Sequence, residues 1–156
     1  MRYRRKAREA ALQVLYALDV LEWIDVQDAL GLFWAHYGAP EEVKPFATAL
    51  VEGTWSNRRS IDELIRGCSE NWSLERMARV DKGILRMAVY EFLHCPDIPP
   101  KVTLNEAIDL GKIFGSENSG AFINGILDAL YAKLREQNLL ADVPLAGPLA
   151  GGIDTP

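Results

Sequence analysis

The spacing of apolar residues constrains this chain more than any other feature. Met77, Val80, Ile84, Ala88 and Phe92 recur every three or four positions until Pro96 halts the run, the signature of one buried helical face. Ala7, Ala11, Val14, Leu15 and Leu18 repeat that period near the start, and Ile123, Ile126, Leu127, Leu130 and Leu134 repeat it near the end. Between them, Asp25 and Asp28 precede a helix through Ala29, Leu32, Phe33 and Tyr37 that stops at Gly38-Ala39-Pro40. Pro45 suits a first helical turn, and Phe46, Ala49, Leu50, Gly53 and Thr54 lead toward Ile61, Leu64 and Ile65. Ser60 with Glu63 resembles a further capping box, so one long helix and two shorter ones both fit residues 43–70. Ser73 opens a short turn through Met77. After the rigid loop Asp97-Ile98-Pro99-Pro100, the run Thr103-Leu104-Asn105-Glu106 predicts a capped helix start, Gly115 its end, and Ser116 the cap of the last helix.

The predicted fold is an all-α bundle of six or seven helices, with residues 1–140 as a single domain. Residues 141–156 hold three Pro, three Gly and no Lys or Arg, and read as a flexible tail. At 156 residues, 49% hydrophobic and 25% charged, the chain can bury one ordinary core. No run approaches the roughly 20 apolar residues of a bilayer span, and Glu9, Gln13 and Asp19 make the first helix amphipathic rather than a signal peptide. The cytoplasm is the expected compartment.

Charge is distributed unevenly. Net charge is -5, yet Arg2, Arg4, Arg5, Lys6 and Arg8 place five of the 17 Lys and Arg in the first eight positions, where none of the 22 Asp and Glu lies. Such a terminus suits a polyanion or serves as a solubilising tail, and both readings stand at this point. Its position ahead of the first apolar stripe predicts that these arginines can be removed without unfolding the protein. In the helix through Met77 and Phe92, Arg79, Lys82 and Arg86 fall opposite the apolar face, as a solvated surface or a binding one. Asn118, Ser119 and Phe122 stand near the start of the last helix, where free N–H groups favour phosphate and a ring can stack on a base. Core packing competes with that role for Phe122, and Trp23, Trp34, Trp55 and Trp72 read as core or interface residues.

Enzyme signals are weak. His36 and His94 lack a metal-ligand partner at i+4, and Cys68 and Cys95 read as two reduced, buried thiols. Gly111-Lys112 fails as a phosphate loop because Glu106 occupies the place of its first glycine. Glu41, Glu42 and Glu117 are explained by helix starts. The expectation is a non-enzymatic protein with no metal and no cofactor.

Four separated blocks carry a resemblance: residues 5–16 (RKAREAALQVLY), residues 80–91 (VDKGILRMAVYE), residues 102–112 (VTLNEAIDLGK) and residues 122–128 (FINGILD). In order and spacing they resemble the NusB family of bacterial transcription antitermination factors over about residues 4–135. The resemblance implies an all-helical bundle that pairs with the ribosomal protein NusE and binds boxA single-stranded RNA in nascent ribosomal RNA transcripts, within the RNA polymerase antitermination complex. Carried over by position, it implies RNA contacts at Arg4, Arg5, Arg8, Tyr16, Lys82, Arg86, Lys112, Asn118 and Phe122. Family members often carry an acid where this chain has Asn118, and a neutral amide there removes a repulsion from phosphate. The resemblance also admits a homodimer that masks the arginine helix, and it extends to the RNA-binding region of certain ribosomal RNA methyltransferases, whose cofactor domain this chain is too short to hold. The competing expectation is a helical protein-interaction adaptor without direct RNA binding.

Overall fold

The computed structural model describes residues 2–69 and 73–141, and among these it contains seven α-helices, one 3-10 turn and no strand. The helices are α1 (Arg2–Val20), α2 (Val26–His36), α3 (Lys44–Ser56), α4 (Arg58–Arg66), α5 (Arg79–His94), α6 (Pro100–Phe114) and α7 (Ser119–Glu136), with the 3-10 turn at Leu74–Arg76. The expected all-α bundle is therefore present. The expected tail lies outside the described residues beyond Ala141, whose N–H donates to Phe92 O at 2.9 Å.

Helix α5 is the axis of the bundle, touching α1, α3, α4, α6 and α7. Ile84, Leu85, Met87, Ala88, Val89 and Phe92 are all buried, so the apolar contact of the helix is a broad face rather than one narrow stripe. Each of these side chains other than Ala88 contributes roughly 1.5–3 kcal/mol on burial. Two glycines let neighbours approach: a Cβ on Gly53 in α3 would overlap the Tyr90 ring of α5, and one on Gly111 in α6 would lie 2.7 Å from Ile123 Cδ1 of α7. α6 and α7 pair closely for that reason.

Several helix ends differ from the sequence reading. Residues 43–70 form two helices because Asn57, at φ -102° and ψ 11°, leaves the helical region while its Nδ2 caps Gly53 O at 2.7 Å. α6 begins at Pro100, not Thr103. Proline needs no N–H partner at a first turn, and Thr103 is instead buried inside the helix, donating its hydroxyl to Glu91 Oε1 at 2.8 Å. α7 is preceded by Asn118 rather than capped by Ser116, and the bond runs backwards, from Ser116 N–H to Ser119 Oγ at 2.9 Å. At its other end Asn138 takes the left-handed conformation (φ 61°). That conformation lets Leu139 N–H reach Leu134 O at 2.9 Å and Asn138 N–H reach Arg135 O at 3.2 Å, a Schellman closure. Trp23 is 79% exposed and belongs to no core, whereas Trp34 and Trp55 pack against it; Trp72 lies outside the described residues.

Candidate nucleic-acid interface

The start of α1 lies against α6 and the loop before it. Arg4, Arg5, Arg8, Ile98, Pro99, Val102 and Glu106 line a cleft of about 510 Å³. Arg4 donates to Asp97 Oδ2 at 2.6 Å, and its guanidinium stands 4.8 Å from the centre of the Phe46 ring. The Arg4 hydrogen bond holds the Asp97 carboxyl below its ordinary range. Arg5 forks onto Glu106 at 3.1 and 2.7 Å and reaches Asp109 at 2.6 Å; the hydrogen bonds it donates to these two carboxylates raise its pKa further. Both arginines keep a solvent-facing side, so their carboxylates compete with any arriving phosphate.

Arg8 differs in kind. It is 3% exposed and donates twice, both at 2.8 Å, to Glu91, itself 2% exposed. The Thr103 hydroxyl completes that carboxylate, tying α1, α5 and α6 together. Arg8 therefore falls outside the removable basic arm expected from the sequence, because a guanidinium this buried cannot leave its carboxylate uncompensated.

Two cations of α5, Arg86 and Lys82, are likewise turned toward carboxylates of neighbouring helices, while Arg79 stays exposed. Arg86 is buried and forks onto Asp62 of α4 at 2.8 and 2.8 Å; burial opposes its charge, but Asp62 and then Asp19 raise its pKa overall. Asp19 of α1 gathers Lys82 at 3.3 Å, Arg86 at 3.4 Å and Arg79 at 3.7 Å. At Lys82 and Arg86 the face opposite the apolar stripe is thus an ion-pair seam between α1, α4 and α5, and it opens to solvent at Arg79. Helical spacing placed these cations on one face correctly, but burial on that face came from α1 and α4.

The other predicted residues lie on two further concavities. Tyr16 is exposed on a groove of about 410 Å³ with Leu12, Phe33, Tyr37, Val80 and Phe114. Asn118 and Phe122 line a cleft of about 280 Å³ between the starts of α5 and α7, with Arg76, Met77, Asp81 and Ser119. Phe122 also packs on the main core, so part of its ring serves stability. Lys112 is exposed on α6, its stem lying over Gly120. The structure thus brings Arg4 and Arg5 together, and brings Asn118 to Phe122, while Tyr16 occupies the groove between. α1 runs from the first cleft to the groove, about 16 Å from Arg5 to Tyr16 at the helical rise. Consecutive residues Val80 and Asp81 wall the groove and the last cleft respectively. Sequence reasoning overlooked Asp19, Asp62, Asp81 and Glu91; an acid within each cation-bearing helix was the only local sign of them.

Among the described residues no group of His, Cys, Asp and Glu is arranged to hold a metal ion, and no helix is long and apolar enough to cross a membrane. Both cysteines are free and half-buried, and the Cys95 thiol is pushed up to about 11 by burial and by the charges of Glu91 and Asp97.

Fold and surface together define a class: an all-helical bundle, seven helices among the described residues, whose first helix leads with arginines. Residues 5–132 match the NusB family model, and the chain belongs to that family. It is 64% identical to the transcription antitermination protein NusB of Syntrophus aciditrophicus over 138 residues, covering 88% of this chain and 85% of that protein. The NusB protein of an Anaeromyxobacter species is 51% identical over 141 residues, covering 89% and 96%. Among solved structures, NusB of T. maritima superposes with a TM-score of 0.76 at 37% identity, covering 83% of this chain and 91% of that one. A crystal structure of antitermination factors NusB and NusE in complex with dsRNA gives a TM-score of 0.76 at 27% identity, covering 85% and 98%.

Proposed function

We propose that this protein is a cytoplasmic transcription antitermination factor that acts by binding, without catalysis. Paired with NusE, it holds boxA single-stranded RNA of nascent ribosomal transcripts and delivers it to the RNA polymerase antitermination complex. The observation that carries this reading is the succession of three separate concavities, one with arginines at the start of α1, one at Tyr16 further along α1, and one with Asn118 and Phe122 at the start of α7. Cations neutralise phosphates, and rings accept unpaired bases. The solved complex of a relative NusB and NusE with dsRNA supports the coarser part of this reading, RNA binding beside NusE.

The geometry redistributes the roles implied by resemblance. Arg4, Arg5 and Lys112 supply phosphate contacts, Asn118 an amide, and Tyr16 and Phe122 aromatic surface. Arg8, Lys82 and Arg86 position the helices that carry them. Three phosphate contacts on an acidic body support only modest affinity, and a basic partner completes the surface. Gel-shift titration with boxA RNA, scrambled RNA and the same boxA strand in a duplex, each with and without NusE, tests the proposal. Tighter binding of the boxA single strand in the presence of NusE is the expected result. Binding of NusE with no RNA retained would refute it and leave the protein-interaction adaptor.

A further inference from the structure

The end of α7 leads the chain back toward the body of the bundle. After the Schellman closure at Asn138, Leu140 packs on the main core and Ala141 N–H donates to Phe92 O at 2.9 Å. The Phe92 ring stands 5.8 Å from the Tyr131 ring, centre to centre. Tyr131 in turn lines a cleft of about 330 Å³ between α6 and α7, with Pro100, Lys101, Leu104 and Asp128. Leu104 and Tyr131 give this cleft an apolar floor continuous with the main core, and Lys101 is exposed at its rim. The described chain therefore stops beside one wall of an open cleft that the three RNA-assigned concavities do not include.

The sequence that follows Ala141 suits such a cleft. Residues 142–149 read Asp-Val-Pro-Leu-Ala-Gly-Pro-Leu, with Asp142 as their one charge, opposite in sign to Lys101. A residue before proline is held extended, and on an extended segment Val143 and Leu145 share a face. Proline has no N–H to leave unsatisfied against an apolar wall, and its fixed φ reduces the entropy that docking gives up. Four extended residues span about 13–14 Å, so Leu145 reaches past the Tyr131 ring from Ala141. The short tether keeps the segment at a high effective concentration beside the cleft, so a small apolar contact holds it where a separate molecule would leave. We propose that the α6–α7 cleft is an intramolecular docking site for residues 142–145, with Leu145 against Leu104 and Tyr131 and Asp142 facing Lys101.

Nuclear magnetic resonance on the isotopically labelled full chain, without RNA, tests this. Cross-relaxation peaks between the Leu145 methyl groups and the Tyr131 ring are the expected result. Leu145→Asp should abolish them, shift the Tyr131 ring signals and move the Val143 methyl signals to the values of an unstructured chain. The substituted residue lies beyond the last helix, and far-UV circular dichroism checks that the bundle is intact in the variant. A mixture of labelled and unlabelled chains separates contact within one chain from contact between two. Peaks that arise between chains overturn the proposal in favour of a second copy as the occupant. Unstructured-chain shifts for residues 142–149 with no peak to Tyr131, or a Tyr131 ring indifferent to Leu145→Asp, overturn it as well and leave the free tail expected from the sequence.

Discussion

Replacing Arg8 with Ala should destabilise the fold far more than any other change in the arginine cluster. The guanidinium makes two 2.8 Å bonds to Glu91, and both residues are almost fully buried. Truncation leaves the Glu91 carboxyl inside the bundle without its guanidinium partner, the Thr103 hydroxyl still donating to it, and removes a guanidinium that lies 5.5 Å from the Phe46 ring centre. Breaking one side of a buried pair costs about 3–5 kcal/mol. At roughly 2–4 °C per kcal/mol for a chain of this length, the melting temperature should fall by roughly 6–20 °C. Thermal and urea unfolding followed by circular dichroism measure it. Removing both charges in Arg8→Met/Glu91→Leu should recover much of the loss, because the penalty comes from an unmatched buried charge rather than from the absence of the pair. Arg66→Ala, at an exposed pair with Glu63 and Glu75, should leave the melting temperature unchanged. An Arg8→Ala variant that melts with the unaltered protein would refute the buried-tie argument and return Arg8 to the set of phosphate contacts.

Three further outcomes follow from the geometry. Asp97→Asn combined with Asp109→Asn removes carboxylates that occupy Arg4 and Arg5, and should tighten RNA binding several-fold in gel-shift titrations; unchanged affinity would show that these arginines meet no phosphate. With Arg4, Arg5 and Lys112 as the phosphate contacts, log affinity against log salt should fall with a slope of roughly -2, at about -0.7 per contact, and NusE should steepen it. A slope near -4 for the chain alone would mean that the α5 seam opens onto RNA. Cys95, pushed up to about 11, should resist alkylation at pH 8, where the thiolate fraction is on the order of one in a thousand, and its rate should still be rising at pH 10. A rate that levels off below pH 9, read by mass spectrometry, would contradict the buried, acid-flanked thiol.

The all-helical fold was legible because helical periodicity is a local property: one stripe of apolar residues three and four apart commits a segment whatever it later packs against. Helix ends were less legible where two local signals competed. Thr103 and Glu106 have the form of a capping box, yet Pro100 begins α6 three residues earlier, and the threonine hydroxyl serves Glu91 instead.

The sequence also determined which residue types stand at each end of the surface: arginines at the start of α1, a ring and an amide at the start of α7. The tertiary structure alone decided which cations still face solvent. Arg8 meets Glu91 across 83 positions of sequence, Arg86 meets Asp19 across 67, and Arg5 meets Glu106 across 101. Arg4, Arg5 and Arg8 are near neighbours on one helix, so periodicity groups them. Their electrostatic fates differ because burial and pairing are set by the carboxylates and apolar surface that distant helices bring, and a charge's free energy depends on that surrounding rather than on its place in the chain.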